Sequence, residues 1–241
     1  MKHFSYLSED IYTYENLVEL KRILEFDGFG VSKIIEEDQC IQYSINREKC
    51  IRLSDLVYFI SFKLVRIHLG QLLVLLKSLA EKVKQLQQAN IEHHYLDCNR
   101  IWLKFNDQEQ VFKIYYETQN YTIHFTGYQC PNYEDFDEQN LSMKSSQKIL
   151  IIIKYIIDNY FDKVILQENK NVVKKNIIDQ LYYGIHNKDL DKLINEIDKI
   201  YQRIINLIKI DKSYLLMNML NLQNTKDMKG KYTMRMTQKK L

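Results

Sequence analysis

Apolar residues recur at intervals of three and four in several parts of the chain, which is the period of an amphipathic helix. The clearest stripe runs from Gln71 to Gln88, and others predict helices over Tyr14–Leu24, Leu53–His68 and Leu190–Ile208. From Ser146 to Tyr160 the residues are apolar on nearly every side. Such a pattern predicts a helix buried inside the domain. The chain should therefore be built mainly of helices.

Short runs of β-branched and aromatic residues predict strands between these helices. Val31–Ile35 and Cys40–Ile45 flank an acidic turn and predict a hairpin. Ile101–Phe105 and Val111–Tyr115 lie on either side of a polar turn and predict a second hairpin, followed by a third run at Tyr121–Phe125. The stretch 127–140 is polar and acidic, contains the chain's one proline, and is predicted to be a loop.

Composition narrows the fold class further. The 241 residues are 46% hydrophobic, which is enough for a real core, and they include only six glycines and one proline. An all-β sandwich or barrel needs more turn residues than that. We predict an α+β, mostly helical fold, with an irregular all-α bundle carrying small hairpins as the alternative. The predicted regions are 1–52 with a helix and hairpin, a helical domain over 53–225, and a basic tail over 226–241.

Charge gives no clear partner class. Lysine and arginine number 34 against 31 acidic residues, and the net charge of +3 is too close to balance to indicate nucleic-acid binding. From Lys226 onward six basic residues face one acidic residue. This tail is predicted to be disordered. If the protein contacts nucleic acid at all, we expect the contact to be weak and to involve this tail. No secretory signal or membrane-spanning run is present, so an intracellular, cytoplasmic location is expected.

The chain has four cysteines, at Cys40, Cys50, Cys98 and Cys130. They form no CxxC pair and no recurring spacing with histidine, so neither a zinc site nor a redox motif is predicted. His93, His94 and Cys98 are three potential metal ligands, but a structural site needs a fourth. We predict no metal and no cofactor.

The most informative motif precedes the Ile101 strand and reads His93-His94-Tyr95-Leu96-Asp97-Cys98-Asn99-Arg100. It resembles the catalytic loop of protein kinases, which reads HRDLxxxN and leads into an apolar strand. His93 and Leu96 keep two positions of that loop. The order of the predicted elements also resembles the family, from its αC helix to the end of its C-terminal lobe.

The resemblance implies that the chemical groups for phosphoryl transfer are missing. Tyr95 stands at the position of the catalytic-base aspartate, and Arg100 at that of a magnesium-binding asparagine. A phenol with a pKa of about 10 is not a base at neutral pH, and a guanidinium opposes metal binding. Lys113-Ile114-Tyr115 resembles the strand before the DFG motif. The three DFG positions then hold Tyr116, Glu117 and Thr118.

Two later stretches follow the family's order with substitutions. Pro131 matches the proline of the APE motif, whereas Asn132 replaces its glutamate. Ser146–Ile157 corresponds to the buried αF helix, with Gln147 at the position of a structural aspartate.

The N-terminal side lacks the parts that hold a nucleotide. Glu19 matches the αC glutamate, but no glycine precedes Gly28, and Lys2 is the only lysine before Lys21. The resemblance therefore implies a remnant N-lobe without the Gly-rich loop and without the β3 lysine.

Three hypotheses follow from the sequence. The first is a catalytically inactive, kinase-like scaffold that binds other proteins, with no catalytic residue and with His93, Tyr95, Arg100 and Tyr116 as its degenerate motif positions. The second is a non-enzymatic helical subunit of a larger intracellular assembly, unrelated to kinases. The third, an active atypical kinase, would need Asp97 or Glu117 to act from displaced positions, and it is the least favoured.

Overall fold

Six helices and six strands make up the part of the chain that the structure, a computed structural model, describes. That part comprises residues 7–65, 67–105, 121–130, 143–164, 177–204 and 206. The strands are β1 (Leu7–Thr13), β2 (Val31–Ile35), β3 (Cys40–Asn46), β4 (Cys50–Arg52), β5 (Ile101–Phe105) and β6 (Tyr121–Phe125). The helices are α1 (Leu17–Phe26), α2 (Leu53–Ser61), α3 (Leu69–Gln88), α4 (Ser145–Val164), α5 (Asp179–His186) and α6 (190–204). The predicted α+β class is confirmed.

The strands form two antiparallel sheets. Sheet 1 has the order β1-β3-β2, and sheet 2 has the order β4-β5-β6. The predicted hairpin of β2 and β3 is confirmed, with Ile34 opposite Ile41. The predicted partner of β5, Val111–Tyr115, lies outside the described residues. Among the described residues β5 pairs with β4 and, from Ile101↔Phe125 to Phe105↔Tyr121, with β6.

Two strands were missed because their sequences carry little strand signal. In β1 only Leu7 and Ile11 are aliphatic, and β4 has just three residues. Strand propensity depends on packing against neighbouring strands. Both strands are therefore fixed by partners that are distant in sequence, β3 for β1 and β5 for β4.

Helix boundaries differ from the prediction at two ends. The helix predicted from Tyr14 begins at Leu17, because the Asn16 side chain caps it by accepting from the N–H groups of Val18 and Glu19 at 3.0 and 3.1 Å. The helix predicted over Leu53–His68 is wrong beyond Ser61. There Lys63 adopts a φ of 59°, which a right-handed helix does not allow.

Helix α4 forms as predicted, but the expectation that it is buried on all sides is wrong. Ile149, Ile153 and Ile157 are fully buried, and the helix packs against α2 and α3. On its opposite face Ile151 and Tyr155 are 52% and 51% exposed. Apolar residues on every side therefore do not place this helix inside the domain.

The core of sheet 1 extends into sheet 2 through two side chains, those of Cys50 in β4 and Trp102 in β5. Phe29, Tyr43 and Ile45 are among the buried residues of this core, and fully buried Trp102 of β5 packs with them. The tilted rings of Phe29 and Trp102 lie 5.9 Å apart. The indole is therefore shared by both sheets.

The contact pattern divides the chain into two units, Met1–Ile197 and Asp198–Leu241, and everything below concerns the first. The predicted boundaries at residues 52 and 225 remain predictions. The loop beyond Cys130 and the tail from Lys226 lie outside the described residues, as do Pro131 and Asn132. No helix among the described residues has the length and apolarity needed to cross a membrane.

Candidate functional site

His93 lies in the loop between α3 and β5 and is completely buried. Its Nδ1 accepts from the backbone N–H of Tyr95 at 3.2 Å, so the other ring nitrogen carries the proton. That Nε2–H donates to the carbonyl of Thr126 at 3.0 Å. The ring stacks on Tyr128 with centroids 4.4 Å apart. His93 thus connects its own loop to the residues that follow β6.

The same burial keeps His93 neutral. Removal of water around the ring, reinforced by the positive charge of Arg100, holds the pKa of His93 well below its usual 6.5. Both ring nitrogens are used within the protein, so this histidine has no free atom for a metal or a substrate. Its role in the site is architectural.

The loop is fastened to α4 through the start of that helix. Ser145 Oγ accepts from the backbone N–H of His93 at 2.9 Å and donates to the Glu92 carboxylate at 2.5 Å. Lys148 donates to the carbonyl of His94. Gln147, at the motif's aspartate position, instead accepts from the backbone N–H of Lys144 at 3.3 Å. Ser145 and Lys148 therefore join the start of α4 to the His93 loop.

Tyr95 is half-buried and cannot serve as a base. Burial, with the neighbouring Glu15 carboxylate, raises the pKa of Tyr95 above 10.0. The next residue, Leu96, is buried, as the resemblance implies for a framework position. The site holds a phenol where the motif requires a carboxylate.

Arg100 lies at the centre of the site, and only 1% of its surface is exposed. Its Nη1 donates to the carbonyl of Gly127 at 2.5 Å and also to that of Cys130. The guanidinium carbon lies 5.4 Å from the ring of Tyr12 and 5.6 Å from that of Tyr95. Such contacts with ring faces stabilise a cation. A permanent positive charge therefore fills this part of the site.

Asp97 is committed to the local structure around Arg100. Its Oδ1 accepts from the backbone N–H groups of Asn99 and Arg100 at 2.7 and 3.1 Å, which caps a short 3₁₀ turn. Its Oδ2 lies 3.4 Å from Arg100 Nε. A carboxylate with these partners is not positioned to take over as a general base. Glu117, the other residue considered for this role, lies outside the described residues, as does Tyr116.

Gly127 allows the Tyr12 ring and the Arg100 guanidinium to lie directly against its backbone. Its φ is 66°, and a Cβ added to it would lie 2.5 Å from the Tyr12 ring and 3.0 Å from Arg100 Nη1. Only glycine combines this backbone conformation with such contacts. The segment after β6 therefore closes directly onto Arg100.

The sequence did not predict a buried carboxylate, Asp27, at the end of α1. It accepts from Lys82 Nζ at 2.6 Å, His124 Nδ1 at 3.0 Å, the Phe125 N–H at 2.9 Å and the Tyr128 hydroxyl at 2.8 Å. Burial raises the pKa of Asp27, but the His124 hydrogen bond and the Lys82 charge outweigh it and lower the pKa below 3.8. One feature of the sequence could have indicated that Asp27 has partners elsewhere in the fold. It is an acidic residue just after the C-terminus of a predicted helix, where the helix dipole disfavours a negative charge.

Next to Asp27 is a polar surface cleft of about 310 Å³, lined by residues that include Ser78, Lys82, Thr122 and His124. Thr122 Oγ1 lies 2.9 Å from His124 Nε2. The cleft holds both signs of charge, since Glu81 also lines it. Its basic groups are used by Asp27, so it offers no distinct anion or cation site.

The start of α1 is attached to the same segment by Gln129. Its Oε1 accepts from the backbone N–H groups of Glu15 and Asn16, both at 3.0 Å. Its Nε2 lies 3.4 Å from Glu19 Oε2. The glutamate that matches the αC position thus has an amide as its neighbour, and α1 is fixed to the segment after β6 at both ends.

His93, His94 and Cys98, the three potential ligands for which the sequence offers no fourth, do not form a metal centre. Among the described residues no three His, Cys, Asp or Glu side chains are grouped so as to hold a metal ion. His93 uses both ring nitrogens, and burial raises the pKa of Cys98 to about 12, which disfavours the thiolate that a metal needs.

No family model matches the chain, and a search of curated proteins finds no match.

Proposed function

We propose that this protein is a catalytically inactive, kinase-like module whose role is to bind other proteins. The observation that carries this proposal is the position of Arg100, buried in the motif loop and bonded to the carbonyls of Gly127 and Cys130. In kinases the corresponding asparagine helps to hold magnesium beside the phosphates. A buried guanidinium at that position repels the metal and occupies its space.

The arrangement of elements supports the kinase-like part of the proposal. The helix before the motif loop, α3, packs beside α4, and His93 lies between α3 and β5. Helix α1 lies between β1 and β2 in sequence, as the αC helix lies between two strands of a kinase N-lobe. These neighbours are those expected of the family if α1 corresponds to αC and α4 to αF.

The pairing of β6 with β5 adds an alignment that the sequence did not offer. If the DFG motif begins at the last residue of β6, its three positions hold Phe125, Thr126 and Gly127, and the glycine is retained. Phenylalanine then replaces the magnesium-binding aspartate. In this alignment, as in the one that uses Tyr116, no carboxylate stands at the metal position.

The N-terminal side supports the absence of nucleotide binding. In kinases the strand before αC carries a lysine that pairs with the αC glutamate and contacts the phosphates. The strand before α1 is β1, which reads LSEDIYT and contains no lysine. Trp102, fully buried with the core of sheet 1, also fills space between the two sheets. A nucleotide would have to displace it.

A second candidate is a structural subunit unrelated to kinases. It is favoured by large apolar side chains on the outer surface of two packed helices, since such side chains are covered in assemblies. Tyr58 of α2 and Phe62, which follows α2 directly, are 54% and 62% exposed, and Ile151 and Tyr155 of α4 are about half exposed.

Thermal unfolding with and without millimolar ATP and magnesium tests the proposal. A ligand that binds the native state must stabilise it, so we expect no change in Tm for this protein, whereas an active kinase run in parallel shifts upward. An upward shift of several degrees for this protein, or phosphate transfer to any substrate, would contradict the proposal.

A further inference from the structure

β1 has one free edge among the described residues, because the order of sheet 1 is β1-β3-β2. The backbone N–H of Tyr14 donates to the carbonyl of Gln39 on the β3 side, at 3.0 Å. Successive residues of a strand direct their backbone groups to opposite edges. The even-numbered residues of β1 therefore bond to β3. The N–H and C=O groups that point to the free edge belong to Leu7, Glu9, Ile11 and Thr13.

The side chains of these same residues lie on an exposed face of sheet 1. Exposure alternates along β1, and Leu7 and Ile11 are 58% and 60% exposed. Ser44 of β3 is opposite both Glu9 and Val31, so Val31 of β2, which is 71% exposed, lies on this face too. Two exposed aliphatic side chains on the edge strand, with a third on the same face of β2, indicate an interaction surface rather than an ordinary solvated strand.

The charge of β1 favours a basic occupant. Its sequence holds two carboxylates and no basic residue. Asp10, on the other face, accepts from Arg52 Nη2 through both of its oxygens at 2.8 Å. Glu9 is therefore the carboxylate that an added strand would meet, between Leu7 and Ile11.

A second copy of the chain is a poor occupant of this edge. Antiparallel pairing of two copies over the whole of β1 would place Asp10 opposite its own equivalent. Asp10 is already paired with Arg52, but in this pairing Glu9 would lie opposite Ile11 and would meet no basic residue, because β1 contains none. A strand from a different protein has no such restriction.

We propose that β1 binds an extended segment of another protein as a fourth strand of sheet 1. The segment carries a lysine or arginine beside Glu9 and aliphatic residues beside Leu7 and Ile11. Main-chain hydrogen bonds provide the affinity in this mode of recognition, and alternate side chains provide the specificity. The inference rests on the proposed role as an interaction module and names the class of its partner.

A labelled peptide of sequence Thr-Val-Thr-Lys-Thr-Val-Thr, capped at both ends, tests the side-chain part by fluorescence anisotropy with the full chain. We expect saturable binding that weakens about threefold when glutamate replaces the peptide's lysine, as for one cross-strand charge pair. The variant Glu9→Lys should reverse this preference between the two peptides. Equal binding of both peptides to both proteins would overturn the charge assignment.

Proline substitution tests the backbone part. Ile11→Pro removes one N–H from the free edge and keeps the bonds to β3, so the protein should still fold and binding should fall about tenfold or more. Ile11→Ala, which keeps the N–H, is the matched control and should bind better than Ile11→Pro. Tyr12→Pro removes a bond to β3 and should instead lower the Tm.

Hydrogen exchange of the unmodified protein gives a readout that needs no variant. On addition of the peptide, the amides of Glu9, Ile11 and Thr13 should exchange more slowly, whereas those of Asp10 and Tyr12 should not change. Slowing elsewhere in the chain, or a dimer of the free protein that Ile11→Pro dissociates, would overturn the proposal. A Tm shift with ATP would contradict the proposed function but would not change the exchange of the β1 amides. Failure of the proposed function and failure of the β1 proposal are therefore distinguishable.

Discussion

At the scale of single residues, the site is organised by two polar side chains that are buried without solvent. His93 is kept neutral by desolvation. One of its ring nitrogens accepts a hydrogen bond and the other donates one. Arg100 remains charged, and backbone carbonyls and aromatic rings replace its water. Both residues therefore stabilise the loop around them.

His93 makes stability depend on pH in a definite direction. Above pH 6.5 it is neutral in both states, whereas below that value the unfolded chain binds a proton that the folded protein does not. The free energy of unfolding should therefore fall as pH drops, by at most about 1.4 kcal/mol per pH unit from this residue. Urea unfolding between about pH 7 and pH 5.5 should show that the free energy of unfolding falls less in His93→Gln than in the unmodified protein. Exposed His94→Gln is the control, and equal slopes in all three proteins would refute the assignment.

Arg100 should be far more important for stability than an exposed arginine with a similar contact. Arg100→Ala removes charged hydrogen bonds to two carbonyls and should lower the free energy of unfolding by about 3 kcal/mol. Arg22 donates to the carbonyl of Asn90 at 2.6 Å from an exposed position, and Arg22→Ala should cost much less. Comparable losses in chemical denaturation would show that the burial of Arg100 has no energetic role.

At the scale of elements, α1 is attached to the rest of the molecule at both ends. Gln129 holds its first turn, and Asp27 at its end collects donors from α3, from β6 and from Tyr128. These two attachments hold both ends of α1 against their neighbours.

Asp27→Asn tests the attachment at the end of α1. The amide would face Lys82 and His124 without a negative charge, so we expect a loss of about 3 to 5 kcal/mol in the free energy of unfolding. Because the folded pKa of Asp27 is lowered below 3.8, its stabilisation is present above that value and disappears as pH falls through the folded pKa. Exposed Asp38→Asn should change stability by less than about 0.5 kcal/mol. A loss in Asp27→Asn as small as this would contradict the role assigned to Asp27.

At the scale of the whole molecule, the two sheets of the first unit are joined by Trp102. The guanidinium carbons of Arg47 and Arg52 lie 5.1 and 4.7 Å from its ring, and Arg52 also binds Asp10 of β1. Two residues of sheet 2, Arg52 and Trp102, therefore have neighbours in both sheets. The two sheets should respond together when the Trp102 side chain is removed.

Trp102→Ala should lower the free energy of unfolding by about 3 to 5 kcal/mol, the usual cost of deleting a buried aromatic side chain. Hydrogen exchange should quicken in β3 as well as in β5, because the cavity is shared by both sheets. Exposed Phe62→Ala is the matched control and should leave both strands protected. Faster exchange confined to sheet 2 would show that the sheets are independent.

Local patterns in the sequence determined much of the element order. The stripe of α3, the hairpin of β2 and β3, and the runs of β5 and β6 were predictable because helix and strand periods need only neighbouring residues. The resemblance of the His93 loop to a kinase motif, with Tyr95 at an aspartate position, likewise depends only on neighbouring residues. These features do not depend on where the rest of the chain lies.

Only the tertiary structure decided which distant groups meet. Asp27 and Tyr128 are separated by 101 positions, and Gln129 and Asn16 by 113, so no local pattern indicates these pairs. The same holds for β1, whose strand conformation depends on β3, and for the exposed face of α4. Long-range packing, hydrogen bonding and burial are properties of the folded chain, and the free edge of β1 is one more of them.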